Sequence, residues 1–389
     1  METSLEALLN PQVKDIQISG IRRLFNLIPN HPGALSLTIG QPDFPTPDHV
    51  KEAAKRAIDE NQTTYTHNAG TIEVRRAASY FLEQRYGLNY RAEDEIITTN
   101  GVSEAIDIVL RAILEPGCEV VLPGPVYPAY EPLIRMALAH PVYVDTRDSD
   151  FILTAEKLER HLTDRTRCVI LPYPSNPTGC TLPADELRRI ADLLRDKNLF
   201  VISDEIYSEL VYEGEHQSIA TFPGMREKTI VVNGLSKSHA MTGWRIGFTF
   251  APAYISNQML KVHQYNATCA SSVSQAAALE ALTNGIDDAS EMRKVYRDRR
   301  DYVCDRLEQM GLEVTRPSGA FYVFPSIAKF GLSSWDFAVR MLAEALVAVV
   351  PGTAFSETGE GHVRISYAAS METLAEGLNR MERFVKSLV

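Results

Sequence analysis

Residues Asn233 to Gly247 read NGLSKSHAMTGWRIG. A run of apolar β-formers, Thr229 to Val232, leads into this stretch, and a second run, Ile246 to Phe250, leads away from it. Both runs read as buried strands. Between them a loop of small polar residues carries Lys237, and Arg245 follows eight residues on. A lysine ammonium is strongly hydrated and stays at the surface unless it has a partner. Held between buried strands it has a chemical use. Desolvation eases the loss of its proton and leaves an amine able to form a Schiff base. Arg245 then offers a fixed cation for a phosphate. A surface lysine and a structural arginine are the plain alternative, and the rest of the chain weighs between the two.

Working towards the N-terminus, the pattern alternates. Strands are expected at 95–99, 119–122, 142–144, 167–171 and 199–202, with helices at 51–61, 72–86, from Gly101 onward and at 184–197. Such alternation implies a mainly parallel, doubly wound sheet wrapped by helices. Asn100-Gly101, Tyr127, Asn176, Asp204 and Lys237 all fall at or just past the C-terminal end of an expected strand. Ligands of open α/β sheets bind at that edge, so these residues point to one shared site. Each has a structural alternative. Asp204, in Ser203-Asp204-Glu205, suits a helix N-cap, and so does Ser103. Asn176 suits a turn fixed by Pro174 and Pro177. Tyr127 suits a core, and Tyr65, in the polar loop TTYTHNAG, suits a cover over the helix beneath it. An apolar strand ends at Gly40, before the prolines of GQPDFPTP.

Towards the C-terminus the character changes. A long charged helix at 287–310 is followed by short strands at 321–324, 346–350 and 363–367 and a last helix at 371–388. The expected organisation is an N-terminal segment (1–48) returning to a small α+β domain (287–389), with a large domain (49–286) between them. Arg364 stands inside the apolar setting HVRISYA, where an interdomain ion pair or an anionic ligand would explain it. In the segment 16–25, Arg22 and Arg23 are candidates to read a distal carboxylate.

Composition limits the class. The 389-residue chain is 45% hydrophobic and 23% charged, as globular enzymes are, and its net charge of −11 argues against nucleic acid or anionic membrane as a partner. Met1 to Val13 has no apolar run of a secretory signal, and 345–350 is too short to span a bilayer. The five cysteines are dispersed without metal-ligand spacing and read as free thiols in a reducing cytoplasm.

Ser236, Lys237, Gly243, Arg245 and Gly247 form S-K-x(5)-G-x-R-x-G, which resembles the pyridoxal-phosphate lysine motif of class I/II aminotransferases of fold type I. The resemblance extends over nearly the whole chain, from about Ile16. It implies that Lys237 carries pyridoxal 5'-phosphate as a Schiff base and then shuttles the substrate's proton. It implies that Asp204 pairs with the pyridine nitrogen, that Tyr207 and Asn176 bond the phenolic oxygen, and that Tyr127 stacks on the ring. Gly101, Val102, Ser103, Ser236 and Arg245 would hold the phosphate. Arg364 would grip the substrate α-carboxylate as a bidentate fork, with Gly40 approaching the same group. Two positions depart from the family pattern. Gly234 stands where a phosphate-binding serine is usual, and Tyr127 where tryptophan is common. Tyr65 would reach the cofactor phosphate of a neighbouring subunit, which implies a C2 homodimer with shared sites.

SLTIGQPDF, PYPSNPTG, SDEIYSEL and NGLSKSHAMTGWRIGF look like the bacterial branch of N-acetyl-diaminopimelate and aromatic-acid aminotransferases. The implied activity is amino-group exchange between an L-amino acid and a 2-oxo acid such as 2-oxoglutarate, with a role in lysine biosynthesis. Aspartate or aromatic amino-acid transamination and a β-lyase on the same fold are the alternatives. A pyridoxal-phosphate-sensing regulator would need a DNA-binding domain, and the acidity of the chain opposes one.

Overall fold

The computed structural model describes residues 5–388; part of the Met1–Val13 stretch and the last residue of the expected C-terminal domain lie outside them. The strands in chain order are β1 (Leu35–Ser36), β2 (Ile96–Thr99), β3 (Glu119–Gly124), β4 (His140–Asp145), β5 (Thr166–Leu171), β6 (Phe200–Asp204), β7 (Thr229–Gly234), β8 (Gly247–Phe250), β9 (Tyr322–Val323), β10 (Val347–Ala348), β11 (Val350–Pro351) and β12 (Val363–Ser366). Seven of them form one sheet in the order β2-β8-β7-β6-β5-β3-β4. β4, β3, β5, β6 and β7 run parallel, while β8 is antiparallel to both its neighbours. The parallel strands are nearly uninterrupted apolar runs because helices cover both faces of such a sheet. Ile170, Ile202 and Val232 pack on the helix Val102–Ile113, and Val169, Val201 and Leu171 pack on the helix Ala184–Leu194.

The chain leaves β3 towards β4 on one side, then returns to lay β5, β6 and β7 on the other. The reversal between β3 and β5 opens a crevice at their C-terminal ends, which is where a ligand fits.

The remaining strands form an antiparallel trio, β11-β12-β9, and a parallel pair, β1-β10. They share a core with the helices Ala289–Gln309, Ser334–Ala345 and Met371–Ser387. The expected strand at 346–350 divides in two because its halves have different partners: Val347–Ala348 pairs with β1, and Val350–Pro351 with β12. The strand expected to end at Gly40 is shorter, with only Leu35–Ser36 paired. Among the described residues, no helix is long and apolar enough to cross a membrane.

Candidate active site

A cavity of about 540 Å³ lies where β3, β5, β6 and β7 end. Gly40, Val102, Ser103, Tyr127, Asn176, Asp204, Tyr207, Ser236, Lys237, Arg245 and Arg364 all line it. They are drawn from separate stretches of chain, and the strand ends gather most of them.

Lys237 sits in a single helical turn, Leu235–Ser238, rather than in an irregular loop. Its Nζ donates to Gly40 O at 2.6 Å. Burial brings its pKa down to about 8; the cations Arg364 and Arg245 push the same way, and Asp204 opposes them. Asp204 closes β6 and is buried. Its Oδ2 accepts from Tyr130 Oη at 2.6 Å and its Oδ1 from Ile206 N at 3.2 Å. Burial raises its pKa to about 6, against these two donors. Asp204 therefore closes a turn but caps no helix. Residues 205–210 form successive turns because the chain runs on to pair with another segment: Ala320 N donates to Leu210 O, Tyr212 N donates to Ser318 O, and Val211 bridges Gly319. Tyr207 reaches the cavity through those turns and not along a helix.

One end of the cavity, where an anion such as a phosphate could be held, is built at the start of the helix Val102–Ile113. Its first N–H groups have no intrahelical acceptor, and no side chain caps them. Gly101 precedes them at φ +81°, and a Cβ there would lie 2.5 Å from Arg245 Nη2. The glycine thus allows the guanidinium to lie against the helix start. A Cβ on Gly247 would meet the Gly101 carbonyl carbon at 2.7 Å, which explains the last glycine of the lysine motif. At Gly234 a Cβ would lie 3.0 Å from Ile246 O and 3.1 Å from Gly247 Cα, so a serine there would crowd the neighbouring backbone. Ser236 is buried on the cavity wall, and Tyr127 is half-buried beside it, with its ring edge-on to Tyr130 at 5.7 Å.

The opposite end holds Arg364, 2% exposed. Its Nη1 donates to Asn176 Oδ1 at 2.9 Å and its Nη2 to Thr38 O at 2.6 Å, while Nε has no partner. No carboxylate pairs with it among the described residues, so the ion-pair alternative fails. Its guanidinium carbon lies 4.4 Å from the ring centre of Tyr322 and 5.0 Å from that of Phe355.

Two expectations shift. The segment 16–25 contributes to the cavity through Ile21 and Phe25, while Arg22 and Arg23 do not line it. The helix Gly20–Phe25, capped by Ser19, turns Arg23 onto the ring of Trp335 at 4.3 Å instead. Tyr65 is 84% exposed and lines no part of this cavity; it borders a second one, together with residues of the helices Asp48–Asp59, Ile72–Tyr86 and Ser272–Thr283. Three contributors gave no signal in the sequence. Tyr130 and Tyr322 stand inside a turn-rich stretch and a core strand, where a tyrosine is unremarked. Thr38 acts through its carbonyl oxygen, which no side chain announces.

The model of the class I and II aminotransferase family matches residues 32–381. A Bacillus subtilis (strain 168) protein named "Probable N-acetyl-LL-diaminopimelate aminotransferase" is 60% identical over 381 residues, covering 98% of this chain and 96% of that one. The aromatic aminotransferase from Pyrococcus horikoshii OT3 superposes with a TM-score of 0.90 at 44% identity, over 94% of this chain and 100% of that one. The Thermus thermophilus aspartate aminotransferase with maleate gives 0.91 at 37%, over 96% and 99%.

Proposed function

The chain belongs to the class I and II aminotransferases, pyridoxal-phosphate-dependent enzymes that move amino groups between amino acids and oxo acids, and we propose that Lys237 and Asp204 do its chemistry while Arg364 holds the substrate. The observation that carries this reading is Arg364. A guanidinium buried without a counter-charge, with an N–H left unpaired in the same cavity as a lysine of lowered pKa, calls for an anion.

The residues fit pyridoxal phosphate. The N-terminus of the helix Val102–Ile113, Gly101, Ser103, Ser236 and Arg245 would hold its phosphate. Tyr127 would cover the ring, Asn176 and Tyr207 would meet its phenolic oxygen, and Asp204 would face its pyridine nitrogen. When bound, the group supplies an electron sink that acidifies the substrate α-carbon. Asp204, ionised above about pH 6, would supply the negative charge that holds a proton on the pyridine nitrogen. Lys237 Nζ, neutral above about pH 8, is the nucleophile that anchors the group and the base that takes the α-proton. Arg364 and Gly40 fix the α-carboxylate at their end of the cavity, which orients the α-hydrogen towards Lys237.

N-acetyl-LL-diaminopimelate and 2-oxoglutarate are the proposed pair whose amino group is exchanged, in a cytoplasmic route to lysine that runs towards N-acetyl-LL-diaminopimelate. The 60% identity to the Bacillus protein supports it. An aromatic amino acid is the second reading, favoured by the apolar wall that Ile21, Phe25 and Ile39 contribute. The proposed assembly is a homodimer in which Tyr65 completes the neighbour's phosphate site, and the proposed domains are 49–286 and 287–389, with 1–48 joining the latter. The test is a single turnover with amino donor alone. Transamination releases one 2-oxo acid per site and no ammonia; sustained release of ammonia and pyruvate would make the protein a β-lyase. Lys237→Ala should do neither.

A further inference from the structure

Tyr207 Oη and Tyr322 Oη lie 2.8 Å apart, and neither hydroxyl has another hydrogen-bond partner among the described residues. Both side chains are buried, and both line the cavity. The pair holds two protons and one shared hydrogen bond. One proton lies between the oxygens, and the hydroxyl that accepts it must point its own proton elsewhere. Burial raises the pKa of both hydroxyls, and the Arg364 cation, which lies over the Tyr322 ring at 4.4 Å, opposes that rise, while Asp204 adds to it at Tyr207; Tyr322 is therefore the better donor of the two. The ring plane also gives the guanidinium a surface to rest on. The hydroxyl of Tyr322 faces Gly40 as well: a Cβ on that glycine would lie 3.2 Å from it, and Gly40 O receives the Lys237 ammonium.

We infer that Tyr322 is a positioning residue for the reaction: its hydroxyl donates to Tyr207 and so aims the Tyr207 O–H at the cofactor's phenolic oxygen, while its ring backs Arg364. The inference rests on the reading of Tyr207 given above. A hydroxyl that accepts a hydrogen bond becomes a stronger donor through polarisation. Tyr322 thus strengthens the bond to the phenolic oxygen without touching it, and couples that bond to the arginine that holds the substrate carboxylate.

The test titrates the visible absorption of the bound cofactor against pH in four proteins: the natural enzyme, Tyr322→Phe, Tyr207→Phe and the double variant. Phenylalanine keeps the ring and its packing. Loss of donation to the phenolic oxygen makes the Schiff-base nitrogen more basic, so Tyr322→Phe should raise the midpoint by about half a pH unit. Tyr207→Phe should raise it further, and adding Tyr322→Phe to that variant should change nothing more, since no Tyr207 hydroxyl remains to polarise. KM for amino acids should stay nearly constant in Tyr322→Phe and rise in Tyr322→Leu, which removes the backing of Arg364. An unmoved midpoint in Tyr322→Phe, or an equal shift with and without the Tyr207 hydroxyl, overturns the inference. An unmoved midpoint in Tyr207→Phe overturns the role of Tyr207 itself, and the inference with it.

Discussion

Replacing Arg364 by leucine tests how the enzyme knows an amino acid from any other amine. An arginine has five N–H donors. Two bonds are spent on Asn176 Oδ1 and Thr38 O, which leaves Nε–H and its neighbours free to form a fork on a carboxylate. The residue is buried, so water screens the interaction poorly. Breaking a desolvated, hydrogen-bonded charge pair costs about 2–5 kcal/mol. At about 1.4 kcal/mol per decade, kcat/KM should fall roughly thirty- to several-thousandfold. The assay is single-turnover kinetics of the cofactor-loaded protein against amino acids of different side chains and against the matching amines that lack a carboxylate. The loss should be the same factor for every amino acid and absent for the amines. Asn176 and Thr38 O lose a donor in the variant, so a melting curve must accompany the kinetics. A loss confined to one class of side chain would show that Arg364 reads the side chain. An equal loss for the amines would show that it only holds the cavity together.

The same geometry sets three further outcomes. Lys237 has its pKa lowered from an ordinary 10.5 to about 8, so its charged form is disfavoured in the folded protein: the stability penalty is present below about pH 8 and is relieved as pH rises from there towards 10.5. Cofactor capture by the cofactor-free protein, which needs the neutral amine, should therefore speed up with a midpoint near 8, and a midpoint near 10.5 would refute the desolvated lysine. Asp204→Asn keeps a hydrogen-bond acceptor for Tyr130 but loses the charge, so the fold should persist while kcat drops about 10²–10³-fold; an unchanged kcat would reduce Asp204 to closing its turn. Co-refolding Tyr65→Ala with Lys237→Ala should restore part of the activity, because mixed dimers hold one intact site, whereas sites built within single chains would give no mixture better than the better parent.

The strand ends make most of the site legible in the sequence. Val120 to Leu122, Val169 to Leu171 and Ile230 to Val232 are apolar without interruption, so the first polar or turn residues after them mark the rim of the sheet. That logic locates Asp204 and Lys237 directly. It fails just beyond Asp204, because EIYSEL has the spacing of a helix while its backbone is claimed by residues 318–320, more than a hundred positions away. Pairing at that distance leaves no local trace. The same limit hides Tyr322, which reads as one more apolar member of FYVF until Tyr207 is brought to its hydroxyl. Arg22 and Arg23 mislead in the opposite way. Their charge draws attention, but the helical period of Gly20–Phe25 sends Ile21 and Phe25 towards the cavity.

The pairing of β1 with β10 also sets a schedule. Ser36 lies opposite Ala348, so the N-terminal strand has no neighbour until 312 more residues (348 less 36) have left the ribosome. At roughly 5–20 residues per second this is a wait of roughly 15–60 s. The seven-stranded sheet, complete by Phe250, can close during that interval and bring Asp204 next to Lys237. Thr38 meets Arg364 only afterwards. Biosynthesis therefore assembles the two ends of the cavity in order: the end with Asp204 and Lys237 can form first, and the end with Thr38 and Arg364 only once residue 364 has emerged.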